Sequence, residues 1–149
     1  MSLRKASCAC GQVVMAVDGE PEIVAICGCQ QCQRRTGSVY STHAFFAQSG
    51  VKIEGDYKVF ARKADSGNTV TFHFCPECGS TVFWRAEGRP NSWGIALGAL
   101  SGVDMPPPIA AVNVIPVPAP FRNEVKKWVP LPEGITVFSL GADSPKLRG

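Results

Sequence analysis

Seven cysteines carry the chemistry of this sequence, and none stands alone: Cys8 pairs with Cys10, Cys27 with Cys29 and Cys32, and Cys75 with Cys78. An odd number of thiols cannot pair completely within one chain, and C-x-C and C-x-x-C spacings are those that bring thiolates onto one ion. The seven divide naturally as four plus three. Cys8-Ala9-Cys10-Gly11 and Cys75-Pro76-Glu77-Cys78-Gly79 each put a glycine after the second cysteine, where the backbone must turn tightly. Together they supply the four thiolates of a closed tetrahedral zinc site. Thiolates are soft and no carboxylate cluster competes for a hard ion, so zinc is the expected metal and an iron–sulfur centre is secondary.

The remaining run, Cys27-Gly28-Cys29-Gln30-Gln31-Cys32, offers three thiolates and no evident fourth protein ligand. A zinc held by three ligands keeps one position for water or a substrate atom, the formal requirement of a catalytic site. Three thiolates make the ion a poor Lewis acid, better suited to taking up a substrate thiol as its thiolate. A redox pair at Cys29 and Cys32, or a partly filled site, is the alternative. His43 and His73 are possible fourth ligands, but each falls on an expected strand and is set aside as structural. Arg34 and Arg35 follow the triplet and could steer an anionic thiol to it, although a solvated helix face accounts for them slightly better.

The elements that must position these cysteines are mostly strands. Gly and Pro number 15 and 12 in 149 residues, which favours short elements between turns. Residues 12–17 and 22–27 read as two antiparallel strands joined at Asp18-Gly19-Glu20-Pro21, a plausible zinc hairpin. Gln30 to Thr36 reads as at most two helical turns, stopped by Gly37. Residues 39–46 and 57–63 read as strands. Residues 68–74 alternate Val70, Phe72 and Phe74 with Thr69, Thr71 and His73, which predicts one buried face and delivers Cys75 at the strand's end. Residues 81–86, a glycine-broken run at 93–100, and residues 135–140 complete the strands. Residues 105–120 hold six prolines, so an extended surface course is expected there, not a helix or a central strand. Trp84, Trp93 and Trp128, with Phe45, Phe46, Phe74 and Phe83, are read as packing residues of a small β domain.

Length and charge bound the function classes. The chain of 149 residues is one domain's worth, 45% of it hydrophobic and 18% charged, which disfavours extended disorder. A net charge of +3 without a block of like charges makes nucleic acid a poor partner. The longest apolar run is well short of the ~18 residues that span a bilayer, and no apolar leader follows Arg4 and Lys5, so a cytoplasmic location without membrane association is expected. Only two histidines and no nucleophile-elbow pattern leave Ser-His-Asp catalysis with little support.

The cysteine motifs, with Cys32-Gln33-Arg34-Arg35, Gly37 and Phe74-Cys75-Pro76-Glu77-Cys78-Gly79-Ser80, stand in an order and at gaps that resemble the glutathione-dependent formaldehyde-activating family, which includes the centromere protein V relatives. The resemblance covers about residues 4 to 104. It implies a mainly β, zinc-stabilised, β-tent-like fold of antiparallel sheets with short helices at most. It implies one domain over residues 1–149, with 105–149 a proline-rich extension of it. It also implies a structural zinc at Cys8, Cys10, Cys75 and Cys78 and a second zinc, the candidate for catalysis, at Cys27, Cys29 and Cys32. The implied activity is that of a carbon–sulfur lyase run in reverse: a small thiol such as glutathione joins a small aldehyde, as in S-hydroxymethylglutathione synthesis. Gly28 stands where the family usually has histidine. A non-catalytic zinc-stabilised binding module is the competing expectation.

Overall fold

The computed structural model describes residues 3–101, 105–112, 129–138 and 146–148. In chain order its elements are β1 (Arg4–Ser7), β2 (Val14–Val17), β3 (Ile23–Cys27), α1 (Gln30–Thr36), β4 (Ser41–Ala47), β5 (Val51–Glu54), β6 (Lys58–Lys63), β7 (Thr69–Phe74), β8 (Thr81–Ala86), β9 (Ser92–Ala96), β10 (Leu100–Ser101), β11 (Ala110–Val112), β12 (Thr136–Phe138) and β13 (Lys146–Arg148). The fold is mainly β, and among the described residues it has one short α-helix and two single turns of 3-10 helix. Among the described residues no helix is long and apolar enough to cross a membrane. The chain divides into two compact units, Met1–Glu22 with His43–Met105, and Ile23–Thr42 with Pro106–Gly149.

In the first unit, one antiparallel sheet has the strand order β10-β1-β2-β5, and in another β4-β9-β8-β7-β6 run side by side. Alternation sorts the side chains of the smaller sheet: Ala6, Met15 and Val17 are buried while Lys5 and Val14 face solvent. The larger one buries Phe46, Phe83 and Ile95 completely. Arg4 is also buried. Its guanidinium Nη1 donates to the Gly19 carbonyl at 2.7 Å, Nη2 meets Glu20 Oε2 at 3.1 Å, and the group lies 5.8 Å from the Phe46 ring centre. Desolvating a cation is costly, and these partners are what make its burial tolerable.

Two expectations about strands are corrected. Residues 12–17 and 22–27 do not form a hairpin, because both edges of β2 are taken: Val17 pairs with Arg4 of β1 on one side and Val51 of β5 on the other. The intervening turn is tied down within its own unit, where Asp18 N–H donates to the Gly50 carbonyl and the Gly19 carbonyl accepts from Arg4. The single buried face expected for residues 68–74 is also too simple, since Phe72 and His73 are both buried. β7 lies between β6 and β8, and the Phe83 ring stacks on His73 from one side while Trp84 meets Phe72 on the other.

In the second unit, β13-β12-β11-β3 run side by side, and β11 is parallel to both β3 and β12. This corrects the reading of 105–120 as free of any central strand. β11 occupies a stretch without proline between Pro108 and Pro116, so every residue in it keeps a backbone donor for the ladder. Register then sets two faces. Ile26, Ala111 and Val137 occupy one row across the three strands and are buried with Ile135 in a core that also takes in Tyr40 and Leu131. One residue further on, Cys27 and Phe138 stand in the next row, and a step of one residue turns these two to the opposite face. Residues 113–120 and 139–140, like Trp128, lie outside the described residues.

Candidate metal centres

Cys8 and Cys10 sit on the connection from β1 to β2, and Cys75 and Cys78 on that from β7 to β8. The two connections fold alike. Cys8 N–H donates to the Val13 carbonyl and Cys75 N–H to the Ser80 carbonyl, both at 3.0 Å and both spanning five residues. Gly11 N–H closes back on the Cys8 carbonyl at 3.2 Å, and Gly79 N–H on the Cys75 carbonyl at 2.9 Å. Gly11 and Gly79 have φ of 82° and 76°, a conformation that glycine alone adopts without steric cost. The glycines flagged after each second cysteine therefore shape both knuckles.

The four Sγ atoms lie within 4.8 Å of one another, with Cys8 to Cys10 at 3.6 Å and Cys10 to Cys75 at 3.7 Å. Four thiolates at about 2.3 Å from a central zinc form a tetrahedron with edges of about 3.8 Å, so the sulfur set fits a metal ion of that size. Cys8 and Cys75 are buried, whereas Cys10 and Cys78 are exposed. Backbone and side-chain donors converge on the sulfurs: Val13 N–H reaches Cys8 Sγ at 3.3 Å, and the Ser80 hydroxyl lies 3.3 Å from Cys78 Sγ while accepting from Ala9 N–H. The Ser80 hydroxyl and backbone N–H pull the Cys78 thiol down to about 5. Cys10 is pulled down by the Gln12 backbone, but desolvation and the neighbouring sulfurs prevail and push it up to about 12. Sulfurs this close cannot all be thiolates unless a cation stands among them.

The second cluster is built from six consecutive positions. Cys27 ends β3, Cys29 is the N-cap of α1, and Cys32 lies in its first turn. Cys29 Sγ accepts from Cys32 N–H at 3.3 Å, which satisfies one donor of the helix start and turns both sulfurs to one side. The helix ends as its sequence predicts, with Gly37 in the left-handed region and its N–H on the Gln33 carbonyl at 2.8 Å. The three Sγ atoms lie within 4.8 Å of one another, and all three residues are buried. Among the described residues no fourth Cys, His, Asp or Glu joins the set. The cluster could hold a metal ion, and its donors are again all soft sulfur.

Charge within this triplet is uneven. Hydrogen bonds from Cys27 and Cys29 hold the Cys32 thiol far below its ordinary range against the cost of burial, assisted by Ser41 and by the Arg35 guanidinium. Cys27 is pushed well up by Cys29 and Cys32 and by desolvation. Arg35 thus acts on the triplet through its field, while Arg34 faces solvent.

Sequence reasoning missed two residues here. Gln33 is buried, and its Nε2 donates to the Gly28 carbonyl at 2.9 Å, clamping the loop between the first two cysteines. A glutamine in an otherwise polar helix gives no signal of this. Phe138 packs against the three cysteines, and only the register of β12 could have revealed it. The two histidines join neither cluster: the His43 ring meets Phe45 and Trp84 edge-on, and the His73 ring stacks on Phe83 with centres 4.4 Å apart. Phe45, Phe46, Phe83 and Trp84 are buried packing residues, and Trp93 is partly buried against Phe83, with Arg85 over its outer side at 4.6 Å.

No curated protein matches the chain at a significant level. Among solved structures, the crystal structure of a Rhodobacter sphaeroides protein is similar at 23% identity, with a TM-score of 0.49, covering 67% of this chain and 90% of that one. Residues 3–114 match the family model of the glutathione-dependent formaldehyde-activating enzymes, three quarters of the chain and all seven cysteines, and the chain belongs to that family.

Proposed function

We propose that this protein binds two zinc ions and that the second, at Cys27, Cys29 and Cys32, serves the joining of a small thiol such as glutathione to a small aldehyde, or the reverse reaction. The carrying observation is the contrast between a complete four-sulfur set and a three-sulfur set that no fourth Cys, His, Asp or Glu joins among the described residues. Cys8, Cys10, Cys75 and Cys78 hold the structural ion in this reading. Zinc at the triplet supplies a positive centre that lowers the pKa of an incoming thiol, so that its sulfur is nucleophilic at neutral pH. The chain does the rest. Cys29 and Gln33 fix the loop, Arg35 adds positive charge beside the sulfurs, and burial keeps bulk water away from the reacting atoms.

The reaction balances without a redox partner. The thiol sulfur forms a bond to the carbonyl carbon, the carbonyl π bond breaks, and the proton lost by the thiol returns to the carbonyl oxygen. The family's glutathione and formaldehyde are the first substrates to try. The test is the exchange rate between formaldehyde and its glutathione adduct, followed by magnetisation transfer. Wild-type protein is expected to accelerate exchange and Cys29→Ser to abolish the acceleration; a wild-type rate equal to the spontaneous one rejects the reading.

A sealed, non-catalytic second metal is the competing reading, favoured by the burial of all three cysteines. Cobalt in place of zinc separates the two. Glutathione changes the visible spectrum of an open cobalt site and leaves that of a sealed one unchanged.

A further inference from the structure

We infer that Phe138 sets the width of the thiol admitted to the three-cysteine centre, and that the accepted class is thiols whose sulfur is carried by an unbranched methylene, as in a cysteine side chain. This rests on the proposal that the centre has an open position. Phe138 lies beyond the residues matched by the family model.

Strand register carries the argument. Val137 is fully buried in the row of Ile26 and Ala111, and the neighbouring residue must therefore point to the other face, where Cys27 lies in the same row. There Phe138 packs against Cys27, Cys29 and Cys32. The cysteines are each less than a tenth exposed, while Phe138 is only partly buried. A residue that packs on the three-cysteine cluster and also reaches solvent stands as a wall beside the approach to it. The wall is stiff, because an aromatic ring has few rotamers and its strand is paired in register with β11. An apolar ring offers a thiol no hydrogen bond, so it discriminates by shape. Branching at the sulfur-bearing carbon widens a thiol right beside its sulfur, the part that must pass the ring.

The experiment uses the full chain with cobalt at the triplet, titrated with ethanethiol and with tert-butanethiol. Dissociation constants come from the visible spectrum. Wild-type protein is expected to bind ethanethiol and to discriminate against tert-butanethiol. Phe138→Ala should raise the relative affinity for the branched thiol at least about tenfold, the scale on which a pocket senses a missing or extra methyl group. Phe138→Leu should raise it less. Unchanged ratios in the variants, with ethanethiol still altering the spectrum, overturn the role of Phe138 alone. A wild-type spectrum that ethanethiol does not alter overturns the open position itself and this inference with it. Should Phe138→Ala fail to retain cobalt at the triplet, the ratio in Phe138→Leu decides.

Discussion

The two cysteine clusters gather the same kind of atom, and chain separation is what distinguishes them. In one, sulfurs 65 residues apart, Cys10 and Cys75, are brought to 3.7 Å. In the other, Cys27 to Cys32 already lie on one short loop and the start of a helix. A metal in the first closes a long stretch of chain, and its binding energy becomes folding energy. A metal in the second closes a loop that the Gln33–Gly28 hydrogen bond and the Cys29 cap already hold. On the proposed reading, less of the fold depends on that ion than on the first.

The strongest way to break this contrast is to remove one buried sulfur from each cluster. Structural zinc contributes an apparent ~10–16 kcal/mol in small zinc domains, against a net stability of roughly 5–15 kcal/mol for a whole protein. Cys75→Ser is therefore expected to abolish the cooperative unfolding transition. Cys29→Ser should keep that transition and reduce bound zinc from two ions to one. Circular dichroism during a thermal melt, with zinc counted by atomic emission, reads both. If the two variants lose the same amount of structure, the division of labour is wrong.

Next in size is the loop clamp. Replacing Gln33 by Leu keeps the volume, leaves the buried Gly28 carbonyl without its donor, and frees the backbone between Cys27 and Cys29. Loss of a residue that orients metal ligands from behind commonly weakens metal binding about 10- to 100-fold. Competition with a graded series of chelators should show that loss at the triplet and none at the four-cysteine site. Equal weakening of both sites would mean that Gln33 supports the fold at large.

The knuckle glycines give a smaller effect, confined to the other cluster. A Cβ on Gly79 would meet nothing within 4 Å, so Gly79→Ala tests the backbone alone. A left-handed conformation costs a non-glycine residue about 1–2 kcal/mol. The zinc-loaded variant should melt about 2–8 °C lower. Gly79→Asn, which tolerates that conformation better, should lose less.

How far the sequence reveals all this depends on the range of the interaction that matters. The knuckles, the helix from Gln30 to Thr36 and its glycine stop are set by residues a few positions apart, and each is readable. The pairing partner of β2 is not. Its apolar alternation states that one face is buried but not which strand lies beside it, and β1 and β5 take both edges before residues 22–27 can. The proline spacing around 105–120 conceals a three-residue strand for the same reason, because β11 owes its place to β3 and β12. The cysteines show what each site is made of, whereas Gln33 and Phe138 show how one is supported and walled, and neither has a pattern of its own.

The smallest prediction concerns the hairpin that carries half of the four-cysteine set. At its open end, Thr69 N–H donates to Glu87 Oε2 at 2.7 Å, and Glu87 N–H donates to the Thr69 carbonyl. The Thr69 N–H, then the charge of Lys63, hold the Glu87 carboxyl below its ordinary 4.5. A carboxylate whose pKa is lower in the folded chain than in the unfolded one stabilises the fold at every pH above the unfolded value. That contribution fades as pH falls through 4.5 and is gone below the folded value. Glu87→Gln keeps the shape and removes the titration, so the melting temperatures of variant and wild type should differ at pH 7 and draw together as pH falls through 4.5. The melts are compared only down to the lowest pH at which zinc counting finds both proteins fully loaded, because loss of the four-cysteine ion would abolish the transition itself. A difference that stays constant over that range would show that the carboxylate's charge contributes nothing and that only the amide's poorer hydrogen bond distinguishes the two.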